Sequence, residues 1–312
     1  MRAVVIDRYG PPEVARVAEV AAPVAGRGEA LVRVAAATVS SGDARIRGAR
    51  FPRGFAVPAR LALGLRGPRR RILGFALSGT VEAVGEGVEG FAPGDAVVCA
   101  SGHGGHAELI ALRADRLVRV PEAVALDDAA AVVFGGTTAM HFLLDVAKLR
   151  EGQSVLVVGA AGAVGTSAVQ VARLTGAHVT AVVSAQNAEL VRRLGAEEVV
   201  DRATTDVTAL GRRFDVVLDA VGALSPASGR RLLADGGTLI LVAATLWQTI
   251  TARGAVKAGI ARARREHIER LLALLATGEL DPVVQSLPMA EIARAHAIVD
   301  SGHKVGNVVV RP

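Results

Sequence analysis

The chain of 312 residues has few cysteine and aromatic residues, and each shortage excludes a class of protein. A single cysteine, Cys99, rules out an intrachain disulfide and a zinc site made of cysteines alone. Trp and Tyr occur once each, so the net charge of +6 comes without the aromatic or zinc-finger patterns of nucleic-acid-binding modules. The one cluster of arginines, at 66–71, is interpreted as a solvated loop or as a loop that faces an anionic ligand. We therefore expect no nucleic-acid partner.

The sequence also lacks a long apolar run. Its longest candidate, residues 238–247, is too short to span a bilayer and follows the polar turn at 235–237. Residues 1–7 have the pattern of a strand and less apolar length than a secretion signal. Hydrophobic residues make up 51% of the chain and charged residues 21%, a balance that predicts a sizeable core. These observations favour a cytoplasmic enzyme with no membrane partner.

Residues 1–122 have the pattern of a β-rich domain. Apolar and polar side chains alternate at 30–35 and at 79–85, as they do in half-buried strands. A turn rich in glycine and proline precedes a further strand at 96–100. This part of the chain is therefore expected to contain few helices.

From residue 123 the pattern changes to alternating helices and strands. Two helices are predicted first, one beginning at Leu126 and one at Gly136. Further strands are predicted at 154–158, 178–183, 199–200, 215–219, 238–242 and 256–260, and further helices at 166–174, 188–194 and 228–233. Nearly continuous apolar strands separated by helices indicate a parallel sheet covered on both faces, and six such strands predict the doubly wound dinucleotide fold.

The end of the chain returns to the β-rich pattern. Residues 265–276 carry apolar side chains at helical spacing, which predicts an amphipathic helix. A short helix at 289–301 and a strand at 307–310 follow. The last strand needs a partner sheet, and we expect that partner in the β-rich domain, which makes this domain discontinuous.

The clearest chemical signal is the run Gly-Ala-Ala-Gly-Ala-Val-Gly at 159–165, between an apolar strand and a helix. Small residues in such a turn let backbone N–H groups approach a diphosphate, and the helix N-terminus adds positive charge. The turn has one residue more than the Gly-x-Gly-x-x-Gly fingerprint, so it indicates a dinucleotide without naming one. The candidate backbone contacts are Ala161, Gly162, Ala163 and Val164.

Many weak motifs follow one another in a fixed order along the chain. They include Tyr9-Gly10-Pro11, Gly94-Asp95, Gly105-His106-Ala107-Glu108, Gly136-Thr137-Thr138-Ala139, Leu194-Gly195-Ala196, Asp219-Ala220-Val221-Gly222 and Gly302-His303-Lys304-Val305-Gly306-Asn307. Taken in this order, with the glycine turn among them, they resemble the medium-chain dehydrogenase/reductase superfamily. The resemblance is to its zinc-independent, quinone-oxidoreductase-like branch and covers essentially the whole chain.

The resemblance implies an α/β protein with two domains. A GroES-like, β-rich catalytic domain would comprise residues 1–122 and 265–312. A doubly wound, six-stranded parallel Rossmann domain that binds NADP would comprise residues 123–264. The resemblance also implies a small carbonyl or quinone substrate bound between the domains, and it favours a homodimer.

We expect the cofactor to be NADP(H) rather than NAD(H). An NAD enzyme usually has Asp or Glu at the end of the second strand, but here that strand ends at Ser184, followed by Asn187. Resembling enzymes often carry a basic residue near Asn187 and a tyrosine at the position of Arg202. Arg202 would give a charge-assisted contact to the 2′-phosphate; the alternative is an ordinary surface arginine. The resemblance adds three cofactor contacts, Val221, Ala243 and Asn307.

No zinc site is expected. The resemblance places the zinc ligands of related alcohol dehydrogenases near residues 40–43 and 75–76, and neither segment contains Cys or His. Cys99, His103 and His106 form a second candidate group, but they are only three ligands crowded into one strand and loop.

Without zinc, hydride transfer to a quinone or an enone is favoured over alcohol oxidation, because negative charge then moves to an oxygen that hydrogen bonds can stabilise. The resemblance makes Ser40, Ser41 and Asp43 candidate catalytic residues, with Thr138 at a helix start beside the nicotinamide. The alternative is that these groups are helix caps or turn residues. Ala76 stands where many relatives have a carboxylate.

Two other functions stay open. The same scaffold supports alcohol or carbonyl reduction, and the replacements at Ser40 and Ala76 fit an NADPH-binding sensor without turnover. A hydrolase lacks support because no Gly-x-Ser-x-Gly motif occurs. The remaining histidines are interpreted as structural: His141, His178, His267 and His296. Trp247 is interpreted as a buried packing residue, with a lid or a dimer contact as the alternative.

Overall fold

The computed structural model describes all residues, Met1–Pro312, and they form two compact units. The first, called the split unit, consists of Met1–Phe51, Ala56–Phe134 and Ala263–Pro312. The second, called the central unit, consists of Pro52–Phe55 and Gly135–Arg262.

Strands and α-helices together make up most of the two units. The strands are β1 (Arg2–Val5), β2 (Arg16–Glu19), β3 (Glu29–Thr38), β4 (Leu77–Val84), β5 (Ala96–Cys99), β6 (Leu109–Arg113), β7 (Val118–Arg119), β8 (Ser154–Val158), β9 (His178–Val183), β10 (Glu198–Asp201), β11 (Phe214–Asp219), β12 (Leu233–Leu241), β13 (Val256–Ala258), β14 (Val284–Pro288) and β15 (Asn307–Arg311). The helices are α1 (Ser41–Gly48), α2 (Ala56–Leu63), α3 (Leu126–Met140), α4 (Ala163–Leu174), α5 (Ala188–Arg193), α6 (Pro226–Arg231), α7 (Leu246–Thr251), α8 (Arg265–Ala276) and α9 (Ile292–Asp300).

The split unit is built around β3, which pairs antiparallel with β4, β6 and β15. The sheet order is β14-β15-β3-β4-β5-β7, with β6 beside β3. Alternate residues of β3, such as Val32, pack against Leu77 and Val97 in a buried core. In β15, Val309 lies opposite Thr38, so the terminal strand joins the β-rich sheet, as the sequence predicts.

The central unit contains one parallel sheet of six strands in the order β10-β9-β8-β11-β12-β13. Every neighbouring pair is parallel, which confirms the predicted doubly wound sheet. The strand order reverses between β8 and β11, and the carboxyl ends of all six strands lie along the same edge. In sheets of this kind, ligands bind at the carboxyl edge where the order reverses.

Helix α3 is continuous, although the sequence predicts two helices in this region. Gly135 lies within this helix and does not break it. Its role is close packing on α4, because a Cβ at this position would lie 2.2 Å from the Ala163 carbonyl oxygen. The helix ends in a π-helical turn, His141–Val146. The change from the split to the central unit falls inside α3, after Phe134.

The helical residues Leu126–Val146 are long and apolar enough to cross a membrane, contrary to the expectation that no run reaches this length. However, 72% of the most apolar window is buried inside the protein. The core helix of a globular protein satisfies the same length and composition test, because a helix that is apolar all round is either buried or membrane-spanning. The length of this helix is therefore weak evidence for a membrane segment.

Three short helices, α1, α2 and α7, are absent from the predictions. Helix α7 begins at a capping box in which Thr245 accepts from the Gln248 N–H and Gln248 accepts from the Thr245 N–H. It carries Trp247, which is 73% exposed. The interpretation of Trp247 as a buried packing residue is therefore wrong.

Candidate functional site

The glycine turn joins β8 to α4 at the carboxyl edge of the parallel sheet. The N–H groups of Gly159 and Ala160 both donate to the Val182 carbonyl oxygen, at 3.1 and 3.2 Å, and this fixes the turn on β9. Gly159 has a φ of +79°, a conformation that favours glycine. A Cβ on Gly165 would lie 2.2 Å from the Gly159 carbonyl oxygen, so only glycine lets α4 pack this close to the turn. Ala161 lies half-buried between these fixed points.

The first turn of α4 is open to an anionic ligand. Gly162 is the N-cap of the helix and provides no side-chain acceptor for the first N–H groups. The N–H groups of Ala163 and Val164 lack acceptors within the helix, because an α-helix leaves its first four donors unpaired. A Cβ on Gly162 would meet only the Gly159 carbonyl oxygen, at 3.7 Å, so little else crowds this corner. With the positive end of the helix dipole, the arrangement fits the diphosphate of a dinucleotide.

The buried Asp219 carboxylate holds the loop after β11 beside the glycine turn. One carboxylate oxygen accepts from the N–H groups of Val221 (3.0 Å) and Gly222 (2.9 Å), and the other from Leu224 (2.7 Å). This places the exposed Val221 side chain close to the turn, since a Cβ on Gly159 would lie 2.4 Å from Val221 Cγ1. The sequence motif does not reveal this role of Asp219; an acid at a strand end before a loop of small residues is the signal that indicates it.

Ser184 and Arg202 are brought together by the neighbouring strands β9 and β10. The Arg202 backbone N–H donates to the Val183 carbonyl oxygen at 2.9 Å, and its Nε donates to the Ser184 hydroxyl at 2.8 Å. Arg202 is exposed and Ser184 is half-buried. Arg202 therefore carries a solvent-accessible guanidinium at the place where the sequence analysis expects the 2′-phosphate.

Asn187 and Asp201 flank this pair. The Asn187 N–H donates to the Ser184 carbonyl oxygen at 2.9 Å, while the Asn187 side chain makes no cap contact to α5. Asp201 lies opposite Val183 at the end of β10, and its carboxylate accepts from the Ala203 N–H at 3.0 Å. Asp201, the one acid at these two strand ends, is thus hydrogen-bonded within the loop after β10. Strand β9 itself ends without an acid.

The remaining predicted cofactor contacts lie in different units. Ala243 follows β12 in the central unit, and its Cβ would lie 3.6 Å from a Cβ placed on Gly222. Asn307 is buried at the start of β15 in the split unit. Its side-chain amide donates to the Pro282 carbonyl oxygen at 2.8 Å, and its backbone N–H donates to the Val283 carbonyl oxygen, also at 2.8 Å. The Asn307 amide nitrogen is therefore already engaged in holding a turn.

Ser40 and Asp43 form a buried capping box at the start of α1. The Ser40 hydroxyl donates to Asp43 Oδ2 at 2.6 Å and accepts from the Asp43 N–H at 3.2 Å. Asp43 Oδ2 also accepts from the Ser40 N–H at 2.8 Å, and Oδ1 accepts from the Gly74 N–H at 3.0 Å. Both side chains therefore have the partners of a helix cap, which is the alternative named in the sequence analysis.

Ser41 differs from its two neighbours. It is half-buried, and its hydroxyl forms no hydrogen bond within the protein. It also lies in the first turn of α1, beside the capping box that fixes the helix start. Among the candidates on α1, Ser41 is the one whose hydroxyl is available to a ligand.

Thr138 and Ala76 are both buried. Thr138 lies inside α3 and not at a helix start, so the expectation that it begins a helix is wrong. The Ala76 N–H donates to the Thr38 hydroxyl at 3.3 Å, and its carbonyl oxygen accepts from the Thr38 N–H at 2.9 Å. The Ala76 side chain is thus a buried methyl group, and its backbone N–H and carbonyl groups are both hydrogen-bonded to Thr38.

Cys99, His103 and His106 do not form a metal site, because no group of three or more His, Cys, Asp or Glu side chains is placed to hold an ion. Burial raises the pKa of the Cys99 thiol to about 11, so the thiol stays protonated at neutral pH. Burial, with Arg70 and Arg116 nearby, lowers the pKa of His103. His106 Nε2 lies 2.8 Å from the Thr38 carbonyl oxygen and must donate to it.

A buried polar cluster in the split unit has no counterpart in the predictions. The rings of His106 and His296 meet edge to face, with centroids 6.1 Å apart. Both ring nitrogens of His296 lack hydrogen-bond partners. Burial, then His106 and Arg47, lower the pKa of His296 to about 2, so the ring is neutral. Arg47 is fully buried and paired with the Asp300 carboxylate and the Gly10 carbonyl oxygen.

Comparison with known proteins places this geometry in a family. The model of the alcohol dehydrogenase GroES-like domain matches residues 26–122, and the model of zinc-binding dehydrogenases matches residues 194–310. The first match confirms the GroES-like part of the predicted fold. A quinone oxidoreductase of Lama guanicoe is 30% identical over 335 residues, which cover 99% of this chain and 97% of the relative.

Solved structures extend this similarity to both units. A mycobacterial protein complexed with NADPH superposes with a TM-score of 0.83 at 28% identity, and an NAD-dependent alcohol dehydrogenase with a TM-score of 0.86 at 28% identity. Both comparisons cover 100% of this chain and 100% of the other chain. These similarities support an oxidoreductase, and its relatives include NAD(P)-dependent enzymes. It belongs to the medium-chain dehydrogenase/reductase superfamily, in the quinone-oxidoreductase-like branch.

Proposed function

We propose that the protein uses NADPH to transfer hydride to a quinone or an α,β-unsaturated carbonyl compound without a metal ion. The observation that carries the cofactor choice is the hydrogen bond from Arg202 to Ser184, at a strand end that lacks an acid. A carboxylate at that position would accept from the ribose hydroxyls of NAD and repel a 2′-phosphate. An exposed guanidinium instead attracts the phosphate and can donate to it through two nitrogens.

The chain's own residues would bind and orient the cofactor. The N–H groups at the start of α4 would hold the diphosphate, and Val221 would contact the dinucleotide beside the glycine turn. NADPH supplies the hydride when bound. The Ser41 hydroxyl would donate a hydrogen bond to the substrate oxygen, which gains negative charge as the hydride arrives.

A metal-free reaction is supported by the side chains present. Catalytic zinc requires three protein ligands and an open position, and no group of three or more His, Cys, Asp or Glu side chains offers this. Reduction of an enone or quinone does not need a Lewis acid as strongly as alcohol oxidation does, because the charge is delocalised onto an oxygen that a hydroxyl can stabilise.

The decisive experiment follows NADPH oxidation with a panel of quinones, enones, aldehydes and ketones, with and without EDTA. We expect turnover with a quinone or an enone that is unchanged by EDTA and slower with NADH. Turnover restricted to aldehydes or ketones would favour the alcohol or carbonyl reductase. Tight NADPH binding without turnover on any panel member would favour a sensor, a function that fits the closed capping box of Ser40 and Asp43.

We also propose a homodimer formed at β13. This strand lies at the end of the parallel sheet, so one side of its backbone has no partner strand. Ile250 and Ile260 near it are exposed, as is Trp247 on α7. Light scattering after size-exclusion chromatography should give twice the monomer mass. Ile260→Glu should reduce that mass, while Val24→Glu, at an exposed position of the split unit, should not. The proposed compartment remains the cytoplasm.

A further inference from the structure

Helix α2 and the loop that follows it expose several large apolar side chains to solvent. Helix α2 contains no buried residue. Val57, Leu61 and Leu65 are 70%, 60% and 65% exposed. Val57 and Leu61 are four positions apart and so lie on one face of the helix, and Leu65 is exposed in the loop that follows it.

The same segment is strongly basic. Residues 44–81 contain nine arginines and no Asp or Glu. Arg47 and Arg50 pair with Asp300, and Arg71 pairs with Asp7. Within residues 56–71, four exposed arginines have no acidic partner: Arg60, Arg66, Arg69 and Arg70. The apolar row is therefore surrounded by unpaired positive charge.

This surface is held in a defined conformation. The Tyr9 hydroxyl donates to the Gly64 carbonyl oxygen at 2.6 Å, and the Arg60 guanidinium lies over the Tyr9 ring, 5.4 Å from its centroid. The Arg69 N–H donates to the Leu63 carbonyl oxygen at 2.6 Å, which closes the loop after the helix. These hydrogen bonds and the contact of Arg60 with Tyr9 thus hold the segment, while the side chains of Val57, Leu61 and Leu65 stay exposed to solvent.

We propose that this surface, called the α2 surface, docks the protein on an anionic lipid bilayer. Its two components match the two layers of such a bilayer: arginines bind the anionic headgroups, and the row Val57, Leu61 and Leu65 enters the acyl boundary. A nucleic acid would use the arginines but leave the apolar row exposed, and a single strand would in addition use exposed aromatic side chains for base stacking. The Tyr9 ring cannot serve this purpose because Arg60 covers it.

This inference goes beyond the proposed reaction and departs from the expectation of no membrane partner. That expectation rests on the absence of a spanning segment, whereas a docked surface needs only a short apolar row and flanking positive charge. The cytoplasmic leaflet carries the anionic lipids of a cell membrane, so docking is compatible with the proposed cytoplasmic location.

The test is co-sedimentation of the full chain with phosphatidylcholine vesicles that contain about one third phosphatidylglycerol, at about 0.1 M salt. We expect binding to these vesicles, little binding to pure phosphatidylcholine, and release at about 0.5 M salt, because salt screens the headgroup contacts. The double variant Arg66→Gln/Arg70→Gln should bind roughly 30-fold more weakly, since each arginine contributes about fivefold. Leu61→Ser should also weaken binding.

Two matched controls separate the α2 surface from general charge and hydrophobicity. Arg230→Gln/Arg231→Gln removes two exposed arginines from α6, and Val24→Ser removes an exposed apolar side chain from the split unit. Both should leave vesicle binding unchanged. Equal binding to neutral vesicles, equal loss in the controls, or binding to single-stranded RNA but not to vesicles would overturn the proposal. No outcome depends on turnover, so failure here is distinct from failure of the proposed reductase activity.

Discussion

The Arg202 side chain donates from Nε to the Ser184 hydroxyl across 2.8 Å, and this bond links the loops after two neighbouring parallel strands. It holds the guanidinium at the carboxyl end of β9, where medium-chain enzymes that use NAD carry an acid. Arg202 is exposed, so its hydrogen bond to Ser184 contributes little to the free energy of unfolding. A large change in activity on replacing Arg202 would therefore reflect a lost contact to a ligand and not a loss of folding stability.

Replacing Arg202 should change the preference between cofactors without changing the fold. Arg202→Ala should raise the KM for NADPH by about tenfold, the size of one charge-assisted contact, and leave the KM for NADH nearly unchanged. Steady-state kinetics with both cofactors measure this split. Arg230→Ala, an exposed arginine on α6, is the control and should alter neither value. Equal losses with NADPH and NADH would contradict the assignment of Arg202 to the 2′-phosphate.

The carboxyl edge of the parallel sheet in the central unit is well predicted from the sequence. The strands β8 and β9 have the predicted bounds, because continuous apolar runs between helices can only be buried strands. The glycine turn was recognised from its small residues, and the steric reason is visible at Gly165. The prediction of a second helix that begins at Gly136 is wrong, because α3 runs through this position. A glycine that permits close packing and a glycine that ends a helix look alike until the partner helix is known.

Two glycines of the turn should respond differently to the same substitution. Gly165→Ala places a methyl group 2.2 Å from a backbone carbonyl oxygen and should destabilise the protein by about 1–3 kcal/mol. Gly162→Ala meets its nearest atom at 3.7 Å and should change stability by no more than about 1 kcal/mol. The added methyl group of Gly162→Ala stands beside the N–H groups proposed for the diphosphate, so NADPH should bind about tenfold more weakly.

Urea unfolding and a fluorescence titration with NADPH separate these two effects. Normal NADPH affinity in Gly162→Ala would show that the diphosphate does not approach this corner. Full stability in Gly165→Ala would mean that α4 can move away from the turn, contrary to the close contact described above.

Ser40 and Ser41 are adjacent in sequence but should have different roles. Ser40→Ala removes a helix cap and one donor to the buried Asp43, which should cost about 1–2 kcal/mol of stability. Ser41→Ala removes a hydroxyl without a protein partner and should leave stability unchanged. If that hydroxyl stabilises charge on the substrate oxygen, kcat should fall by about tenfold or more.

Comparison of unfolding free energies with kcat for the two variants decides between the roles. The adjacent position serves as the matched control, because both substitutions remove one hydroxyl from the start of α1. Unchanged kcat in Ser41→Ala would assign the whole segment to structure and favour the cofactor-binding sensor.

The split unit is less predictable, because its candidate residues acquire their roles from distant parts of the chain. The Asp43 carboxylate accepts a hydrogen bond from the Gly74 N–H, and His106 donates one to the Thr38 carbonyl oxygen. Helix α9 brings His296 against His106, two residues separated by most of the sequence. No periodicity or motif reports such a contact, so the interpretation of His296 as structural gave no indication of its unpaired, buried state.

That buried state should make stability depend on acidity. The folded-state pKa of His296 is about 2, below its usual 6.5, so under mildly acidic conditions the unfolded chain binds a proton that the folded chain does not. His296 therefore adds no pH dependence above about pH 6.5, and below that pH it lowers the free energy of unfolding as the pH falls, by up to about 1.4 kcal/mol per pH unit. His296→Leu should remove this contribution, and it should not destabilise the protein at pH 7, because both ring nitrogens lack partners.

Urea unfolding at pH 5, 6 and 7 measures the dependence, and the difference between variant and parent isolates His296 from the carboxylates. Between pH 6 and pH 5 the parent should lose about 1.4 kcal/mol more than His296→Leu. Ile298→Leu on the same helix is the control, because it changes a partly buried apolar side chain, removes no titratable group and should leave the pH dependence unchanged. An identical slope in parent and His296→Leu would mean that the ring reaches solvent or an unseen partner in the folded protein, and the cluster with His106 and Arg47 would then be hydrated.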